Sequence, residues 1–357
     1  MALFRYFVME LFTQLIRILV TALFSFGIAM ILVSPVDRLI RKLKVGKHIE
    51  KEAAPIFSQM HAAKEGTPVM AGIIIWGAVC LSVFFLWLCS LLFDGFWSQV
   101  NILDRSQTYL PLAGFIIAAL IGAADDIIGI FKIKGKKGLS VKQRLFLYAG
   151  VGFLAAWWFA AKLHWDVLHV PFIGNMFIGI WGYAAFVFFI VIATSHSTNI
   201  TNGLDGLAEG VSLITLICLM VVAFAYGRYD LAAFTASIIG SLVAFLWFNI
   251  YPARFFMGDT GSMSLGVVIA LIALQTNTGL FIPFFSFILI VESLSVLLQT
   301  FSKKVFKKKI FISTPIHHHF EAKGWLEPQI TMRFWIVSGI AAVFGLIFFF
   351  VDLLLLK

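Results

Sequence analysis

The sequence predicts an all-α protein that crosses a membrane about ten times and has both termini on the outer side of that membrane. Three observations lead to this class. Of the 357 residues, 61% are hydrophobic and only 13% are charged, whereas a soluble domain has about 25% charged residues. Mean hydropathy is +0.98, and the apolar residues form runs long enough to cross a bilayer as helices. Together these values exclude a soluble globular protein, a disordered chain and a disulfide scaffold.

Ten apolar runs are candidate membrane-spanning helices of a single domain that covers residues 1–357. The run at 263–276 is shorter than the others, which predicts a broken or tilted span. The ten runs lie at 16–33, 70–93, 108–124, 145–163, 176–194, 211–226, 231–250, 263–276, 280–300 and 334–356.

The distribution of basic residues predicts how the chain is oriented. Most of the Lys and Arg residues lie in the segments 37–64, 125–144 and 301–333. With ten spans these segments fall on one side, and the positive-inside rule assigns that side to the cytoplasm. Both termini then lie outside. The net charge of +9 is explained by this topology, or in part by basic residues that bind an anionic substrate.

Four polar clusters interrupt the apolar background, and the ten-span topology places all of them on the cytoplasmic side. They are Asp125-Asp126, the run Thr198 to Glu209, the run Tyr251 to Ser262, and His317-His318-His319. We therefore expect one active site that faces the cytoplasm. It would be built from the segments at about 37–69, 125–144, 195–210, 251–262 and 301–333.

The Asp125-Asp126 pair directly follows an apolar run and precedes the strongly basic stretch FKIKGKKGLSVKQR. Neighbouring helical residues point about 100° apart, so both carboxylates cannot face one ligand equally. One is expected to approach a metal or a phosphate while the other meets a basic partner. A pair of solvated charges at a helix end is the alternative.

Residues 197–210, STNITNGLDGLAEG, combine oxygen-bearing side chains with glycines that allow tight turns. Asn199, Asn202 and Asp205 offer the hard oxygen ligands that suit a Mg²⁺-nucleotide site. The alternative is that the run is a plain turn between spans.

In YPARFFMGDTGSMSLG, residues 251–266, Asp259 directly precedes a new span. At that position it can cap the helix or hold Mg²⁺ beside exposed backbone amides.

The internal stretch STPIHHHF supplies three consecutive histidines, which point in different directions on a helix and form a poor tridentate metal site. They can bind phosphate or transfer protons, or have a structural role. Taken together, the four clusters suit Mg²⁺-assisted phosphoryl transfer at a membrane surface. The sequence contains no G-x-x-x-x-G-K-[ST] loop, which argues against an ATP-driven pump.

Over essentially its whole length the chain resembles the polyprenyl-phosphate N-acetylhexosamine-1-phosphate transferases, and most closely their muramoyl-pentapeptide branch. The resemblance is carried by KEGTPVMAG at 64–72, Asp125-Asp126, NITNGLDGLAEG at 199–210, FFMGDTGS at 255–262 and PIHHHFE at 315–321. It implies transfer of phospho-MurNAc-pentapeptide from UDP-MurNAc-pentapeptide to undecaprenyl phosphate, which yields lipid I and UMP in peptidoglycan synthesis. It also implies Mg²⁺ as cofactor, a homodimer in the bacterial inner membrane, and no nucleic-acid partner.

The resemblance also implies roles for individual residues. Asp259 matches the Mg²⁺-ligating aspartate, and Asp125 and Asp126 match the essential acidic pair, of which Asp125 is expected to deprotonate or orient the lipid phosphate. Catalytic roles are also implied for His318 and His319. Substrate-binding positions are matched by Lys64, Lys142 (with Arg144 as the alternative), Asn199, Asn202, Asp205, Phe256 as a stacking partner of uracil, and His317.

Two stretches depart from the family's pattern. Asn202 replaces an aspartate, which excludes an acidic role there, and Pro68-Val69-Met70-Ala71-Gly72 replaces P-T-M-G-G. The acidic pair, Asp259 and the histidines are kept, so we expect an active enzyme with a groove between spans for the lipid tail.

One alternative is a sibling enzyme that transfers GlcNAc-1-phosphate. Another is a transporter, whose ion-coupling carboxylates would lie near the bilayer midplane and not at span ends.

Overall fold

The computed structural model describes residues 2–43, 46, 64–104, 106–131 and 138–356, and it confirms the all-α membrane class. Within these ranges, nine helices are long and apolar enough to cross a membrane, and a bent helix pair brings the number to ten. Several basic residues of the predicted cytoplasmic segments lie outside the described residues. They are Lys44, Lys47, Lys51 and those within 132–137.

In the first half of the chain, the described residues form five helices and a β-hairpin. Helices α1 (Ala2–Lys42) and α2 (Ile73–Leu92) precede the short α3 (Phe96–Gln99), which is followed by α4 (Tyr109–Ile130) and α5 (Val141–Ala161). Strands β1 (Val167–Val170) and β2 (Gly174–Phe177) then pair in antiparallel orientation, with Val167 opposite Phe177.

The second half is helical throughout. It begins with α6 (Gly179–Thr201), α7 (Leu207–Ala225), α8 (Tyr229–Asn249) and α9 (Gly258–Gln275). A 3-10 turn at Gly279–Phe281 leads into α10 (Ile282–Phe285) and α11 (Phe287–Val305). The short α12 (Ile316–Ala322) carries the three histidines, and α13 (Glu327–Leu355) is the last span.

Helix α9 lies at the centre of the bundle, and almost all of its residues are buried. Glycines let the neighbouring helices approach it closely. A Cβ on Gly122 of α4 would lie 2.2 Å from the carbonyl oxygen of Asp259, and one on Gly266 of α9 would lie 2.6 Å from the Cα of Ser195 in α6. Helices α4 and α6 therefore pack directly on α9, and this contact brings their polar ends together around Asp259.

The broken span is not the one that the sequence predicts. The run at 263–276 belongs to the unbroken helix α9, whereas the next span bends by 89° at Ser286, between α10 and α11. The Thr215 hydroxyl of α7 donates to the carbonyl oxygen of Phe285 at 2.9 Å and lies 3.3 Å from the Ser286 hydroxyl. These hydrogen bonds satisfy polar groups that a break in a membrane helix would otherwise leave unpaired. Helix α9 can be short because protein surrounds it.

The described beginning of α1 and the end of α13 lie at the end of the bundle opposite the polar clusters. Near the end of α1, the carboxylate of Asp37 pairs with Arg254 in the loop that precedes α9, at 2.6 Å. Earlier in α1, Arg17 pairs with Asp230 at the start of α8. Helix α13 begins at the polar end, where Glu327 pairs with Lys64, and runs to the opposite end.

Packing between α1 and α8 predicts a strong effect of a side chain at Gly240. A Cβ there would lie 2.0 Å from the carbonyl oxygen of Ala22, whereas a Cβ on Gly27 of α1 has no atom within 4 Å. We expect Gly240→Val to lower the Tm of the purified protein by about 5 °C or more, because the two backbones must separate. The control variant Gly27→Ala should keep the wild-type Tm. Equal melting curves for both variants would contradict this packing.

Candidate active site

The Asp125 carboxylate is almost completely buried near the end of α4 and binds the beginning of α5. One oxygen accepts a hydrogen bond from the Leu139 amide at 2.6 Å, and the other accepts from Nε of Arg144 at 2.6 Å. Ser140 caps α5 through a reciprocal pair of hydrogen bonds with Gln143, which fixes the helix start just before Arg144. The sequence prediction that one member of the acidic pair meets a basic partner agrees with this contact.

Arg144 also joins Asp125 to the other two polar clusters. Its Nη2 lies 2.8 Å from Oδ2 of Asp259, and its Nη1 donates to Oδ1 of Asn199 at 3.3 Å. The Asn199 amide in turn donates to Oδ1 of Asp259 at 2.7 Å and to the Ser262 hydroxyl at 3.0 Å. One guanidinium thus lies between oxygens from α4, α6 and α9.

Asp126 points away from its neighbour, as the 100° turn between adjacent helical residues requires. Its two oxygens accept the backbone amides of Asp259 and Thr260, each at 3.0 Å. The first amides of a helix have no acceptor within the helix. A carboxylate at this position accepts their hydrogen bonds and complements the positive end of the helix dipole. Gly258 precedes them at φ +73°, and a Cβ on it would lie 2.5 Å from an Asp126 oxygen. Asp126, and not Asp259, is therefore the cap of α9.

The oxygens around Arg144 have the chemistry of a divalent-cation site. Carboxylate and amide oxygens of Asp125, Asp259 and Asn199 converge on a single cation, the guanidinium. In the part of the chain that the structure describes, no three His, Cys, Asp or Glu side chains form a closed metal cage. Mg²⁺ does not need such a cage, since it usually takes one or two carboxylates and completes its shell with water and substrate phosphates. The donor set therefore fits Mg²⁺.

A second charged group lies beside the first and is centred on Lys64. Its Nζ lies 2.5 Å from an oxygen of Asp205 and also pairs with Glu327 at the start of α13. Glu327 accepts the Asp205 amide at 2.6 Å, and the second Asp205 oxygen accepts the Ala253 amide at 3.0 Å. The buried Asp205 therefore fixes the turn before α7 to the loop before α9.

The Phe256 ring and the segment that contains Lys64 form one surface. Lys64 Nζ lies 5.6 Å from the centre of the half-buried Phe256 ring. The Phe256 amide donates to the carbonyl oxygen of Pro68 at 2.7 Å, and the Ala71 amide donates to the carbonyl oxygen of Phe256 at 3.0 Å. Phe255, by contrast, is fully buried. Of the two neighbouring phenylalanines, Phe256 is the one whose ring can meet a ligand.

The three histidines have different surroundings. His317 is fully buried, with Nδ1 3.0 Å from an oxygen of Glu292 in α11 and with Nε2 against Gly203, where a Cβ would approach to 2.4 Å. His318 pairs with Glu321, and its ring centre lies 4.1 Å from that of His317. His317 therefore packs against the turn at Gly203, and the substrate-binding role that the family resemblance implies for it stays a prediction.

His319, for which the resemblance implies a catalytic role, bonds to the loop that precedes α12. Its Nδ1 accepts the Ile312 amide at 3.2 Å, and within the described ranges it has no contact with Asp125, Asp126 or Asp259. Partial burial, and then the nearby Lys323, lower the pKa of His319. This lowered pKa agrees with a ring nitrogen that accepts a hydrogen bond.

Lys142 and Asn202, two predicted substrate-binding residues, have different surroundings. Lys142 is exposed and makes no hydrogen bond or ion pair to any residue that the structure describes; Arg144, the alternative, occupies the cluster. The Asn202 amide nitrogen donates to the carbonyl oxygen of Gly258 at 3.3 Å. An ionised aspartate, which is only an acceptor, could not make this bond. The asparagine thus ties the 199–210 run to the start of α9.

Two acidic residues that contribute to this region are absent from the sequence prediction. Glu327 lies in the predicted segment 301–333, but one carboxylate at the start of an apolar run has no distinguishing pattern. Glu292 carries a usable signal, since an ionisable residue inside an apolar span is a candidate functional residue by default. It is fully buried and partners His317.

Known proteins resemble this chain over most of its length. Residues 109–277, which include Asp125, Arg144, Asn199 and Asp259, match the family model described as glycosyl transferase family 4. A phospho-N-acetylmuramoyl-pentapeptide-transferase of Caldanaerobacter subterraneus subsp. tengcongensis is 35% identical over 91% of this chain and 96% of its own length. Proteins of the same name from Clostridium perfringens and Clostridioides difficile are each 35% identical over 92% of this chain, and over 97% and 96% of their own lengths.

Proposed function

Because the chain belongs to the phospho-N-acetylmuramoyl-pentapeptide-transferase family, we propose that it transfers phospho-MurNAc-pentapeptide from UDP-MurNAc-pentapeptide to undecaprenyl phosphate. The products are lipid I and UMP. The observation that supports this reaction most strongly is the convergence of Asp125, Asn199 and Asp259 on Arg144. A cationic centre surrounded by fixed oxygen ligands is what transfer between two phosphate groups requires.

The transfer forms one phosphorus–oxygen bond and breaks another. An oxygen of the lipid phosphate attacks the β-phosphorus of the donor, and the bridging oxygen leaves with UMP. We propose that Arg144 neutralises negative charge on the reacting phosphates, because its guanidinium already lies among three acceptor groups. Both Asp125 oxygens accept hydrogen bonds. This favours a role in orienting Arg144 and the lipid phosphate over a role as proton acceptor.

Asp259 is our proposed Mg²⁺ ligand, with Asn199 beside it. Asp126 holds the backbone from which the Asp259 side chain projects, because it accepts the Asp259 amide. When bound, Mg²⁺ neutralises charge on the transferring phosphates. The contribution of this chain is to keep the Asp259 carboxylate fixed between Arg144 and Asn199, so that little reorganisation is needed when substrate arrives.

The surface formed by the Phe256 ring and the segment that contains Lys64 is the proposed binding site of the uridine part of the donor. The Phe256 ring offers a face for stacking with the base, and Lys64 beside it offers a positive charge. Asp205 and Glu327 hold Lys64 and thereby fix the height of its Nζ above the ring. His318 contacts His317, and His317 packs on Gly203. His318 therefore lies at the edge of the same region. We propose that His318 contacts a donor phosphate.

An apolar groove of about 490 Å³ between α6 and the bent pair α10–α11 is the proposed site of the polyprenyl tail. Phe189, Ala193, Pro283 and Leu297 are among the residues that line it. The groove reaches Ser197, which is two residues before Asn199 in the same helix. A lipid tail in the groove would therefore bring its phosphate to the polar cluster from the side.

The family and the charge distribution support an orientation for the whole protein. We propose that it lies in the bacterial inner membrane with the polar end of the bundle in the cytoplasm, because most basic residues lie in segments at that end. The soluble donor would then enter from water and the lipid acceptor from the inner leaflet. The homodimer implied by the family resemblance stays a prediction.

A bulky residue in the groove should block the acceptor selectively. Ala193 is half-buried, so Ala193→Trp fills part of the groove without displacing the core. We expect its KM for undecaprenyl phosphate to rise about tenfold, while the KM for the nucleotide donor stays within about twofold. Ile217→Trp, on an exposed part of α7, is the control and should leave both values unchanged. Equal effects on both substrates would contradict the groove assignment.

The experiment that tests the proposed function measures UMP release by the purified protein in detergent. We expect release only when UDP-MurNAc-pentapeptide, undecaprenyl phosphate and Mg²⁺ are all present, and complete loss on addition of a chelator. Excess Mg²⁺ should restore it, which shows that the chelator has not unfolded the protein. Release without the lipid acceptor would indicate a hydrolase, and unchanged release in the chelator would contradict the magnesium site.

A further inference from the structure

A second polar cavity, of about 650 Å³, lies at the opposite end of the bundle from the candidate active site. It is lined by the β1–β2 hairpin, the turn between α7 and α8, the end of α9 and the end of α13. Helices α7, α9 and α13 all begin at the active site. The 18 residues of α9 separate the two sites by about 27 Å along the helix axis.

The carboxylate that lines this cavity already binds the β1–β2 hairpin. Asp352 of α13 is almost completely buried; one oxygen accepts the Phe172 amide at 2.6 Å and the other lies 2.6 Å from Nε2 of His169. The other nitrogen of His169 lies 3.1 Å from the side-chain oxygen of Asn175. These contacts attach the hairpin to the end of α13 and leave neither Asp352 oxygen without a partner.

Arg228 is the cation that lines the cavity, and it has no carboxylate partner among the residues that the structure describes. Its guanidinium lies 6.0 Å from the centre of the Trp165 ring. Tyr226 also lines the cavity and adds a hydroxyl group, whereas the side-chain amide of Asn277 already bonds to the β1 backbone at Val167 and His169. A planar guanidinium that pairs with no carboxylate of the described residues, in a cavity whose one carboxylate is held by His169 and the Phe172 amide, is suited to a phosphate group.

One rim of the cavity is apolar. Ile173 at the tip of the hairpin is 74% exposed and Leu356 after α13 is 45% exposed, and both line the cavity beside Leu353. Phe177 and Trp181, on and just after β2, are also strongly exposed. An exposed tryptophan such as Trp181 is typical of the level of the lipid headgroups. A phosphate at Arg228 could thus be joined to acyl chains that pass over this rim.

We propose that this cavity binds a phosphate group, and that an anionic membrane lipid supplies it from the leaflet farther from the active site. Arg228 would bind the phosphate, and Ile173, Leu353 and Leu356 would contact the beginning of the acyl chains. The assignment of that leaflet to the outer face depends on the proposed orientation. The binding itself depends on neither the orientation nor the transferase activity.

Native mass spectrometry of the purified protein with added phosphatidylglycerol tests this site. We expect Arg228→Gln to weaken binding of one phosphatidylglycerol roughly tenfold, the effect of a lost charge-assisted hydrogen bond. Lys162→Gln is a matched control, since Lys162 lies at the same end of the bundle after α5 and likewise faces a tryptophan, Trp157, at 5.9 Å. It should bind the lipid as the wild type does. Diacylglycerol, which lacks the phosphate, should not compete.

A second pair of variants keeps the test decisive if Arg228→Gln melts at a lower temperature. Leu356→Glu places a carboxylate at the exposed rim and should also weaken binding, whereas Leu356→Gln should have a much smaller effect. Inorganic phosphate should not displace the lipid; displacement at millimolar concentration would assign the site to free phosphate and overturn the lipid assignment. Equal lipid binding in wild type, Arg228→Gln and Leu356→Glu would overturn the site altogether.

Discussion

Replacement of Asp259 with asparagine is expected to reduce UMP release by at least about 10²–10³-fold, the range found when a fixed polar group is removed from a reaction centre. The change keeps the size of the side chain and the oxygen that accepts from Asn199, but it removes the negative charge that faces Arg144. A neutral amide is a much weaker Mg²⁺ ligand than a carboxylate. The measurement is the initial rate of UMP release at saturating substrates and Mg²⁺.

The matched control for this variant is Asp230→Asn. Asp230 also pairs with an arginine, Arg17, but it does so at the opposite end of the bundle. We expect this control to retain nearly full turnover, with any loss limited to a lower Tm. Both proteins should elute as the wild type does in size-exclusion chromatography. An Asp259→Asn enzyme that turns over within about threefold of wild type would contradict the metal assignment.

Replacement of Arg144 with glutamine is expected to reduce kcat by about 10²-fold or more. It removes the cation that Asp125, Asn199 and Asp259 share, so two buried carboxylates lose their charge partner. The loss should be mainly in kcat, because the proposed role of Arg144 is to stabilise charge on the reacting phosphates. Arg144→Lys should recover part of the rate, since it restores the charge without the planar geometry.

Lys142→Gln separates this prediction from a general effect of basic residues in the same segment. Lys142 belongs to the same helix and carries the same charge, but it is exposed. We expect its kcat and both KM values to stay within about threefold of wild type. A large loss in Lys142→Gln together with a small loss in Arg144→Gln would reverse the assignment and return the role to the lysine.

The choice between Lys142 and Arg144 shows where the sequence stops being informative. Residues two positions apart on a helix point about 200° apart. Only one of them can face α4, but which one depends on how α5 packs. That packing is set by contacts between distant segments and leaves no local pattern. The two basic residues look equivalent in KGLSVKQR.

The spans and the polar clusters, by contrast, can be predicted because their signal is local. An apolar run of sufficient length reports a membrane helix, and Asp259 stands out as a carboxylate beside such a run. The break at Ser286 has only a weak local signal, since Pro283 lies three residues before it and the phenylalanines around it are as apolar as an ordinary span. It depends on Thr215, which lies 71 positions away from Ser286 in the sequence.

The position of Glu327 likewise depends on contacts between distant segments. Its carboxylate joins Lys64 and Asp205 across 263 and 122 positions of sequence, so neither its burial nor its partners can be inferred from neighbouring residues. Lys64 and Asp205 could be selected from the motifs around them. The group that fixes them in place could be found only in the folded chain.

The choice of donor is the decisive measurement for the proposed reaction. Purified protein would be supplied with undecaprenyl phosphate, Mg²⁺ and either UDP-MurNAc-pentapeptide or UDP-GlcNAc, and UMP release would be followed. We expect release with the muramoyl donor alone and formation of lipid I in equal amount. Release with UDP-GlcNAc alone would contradict the proposed substrate and assign the chain to a GlcNAc-1-phosphate transferase that uses the same site.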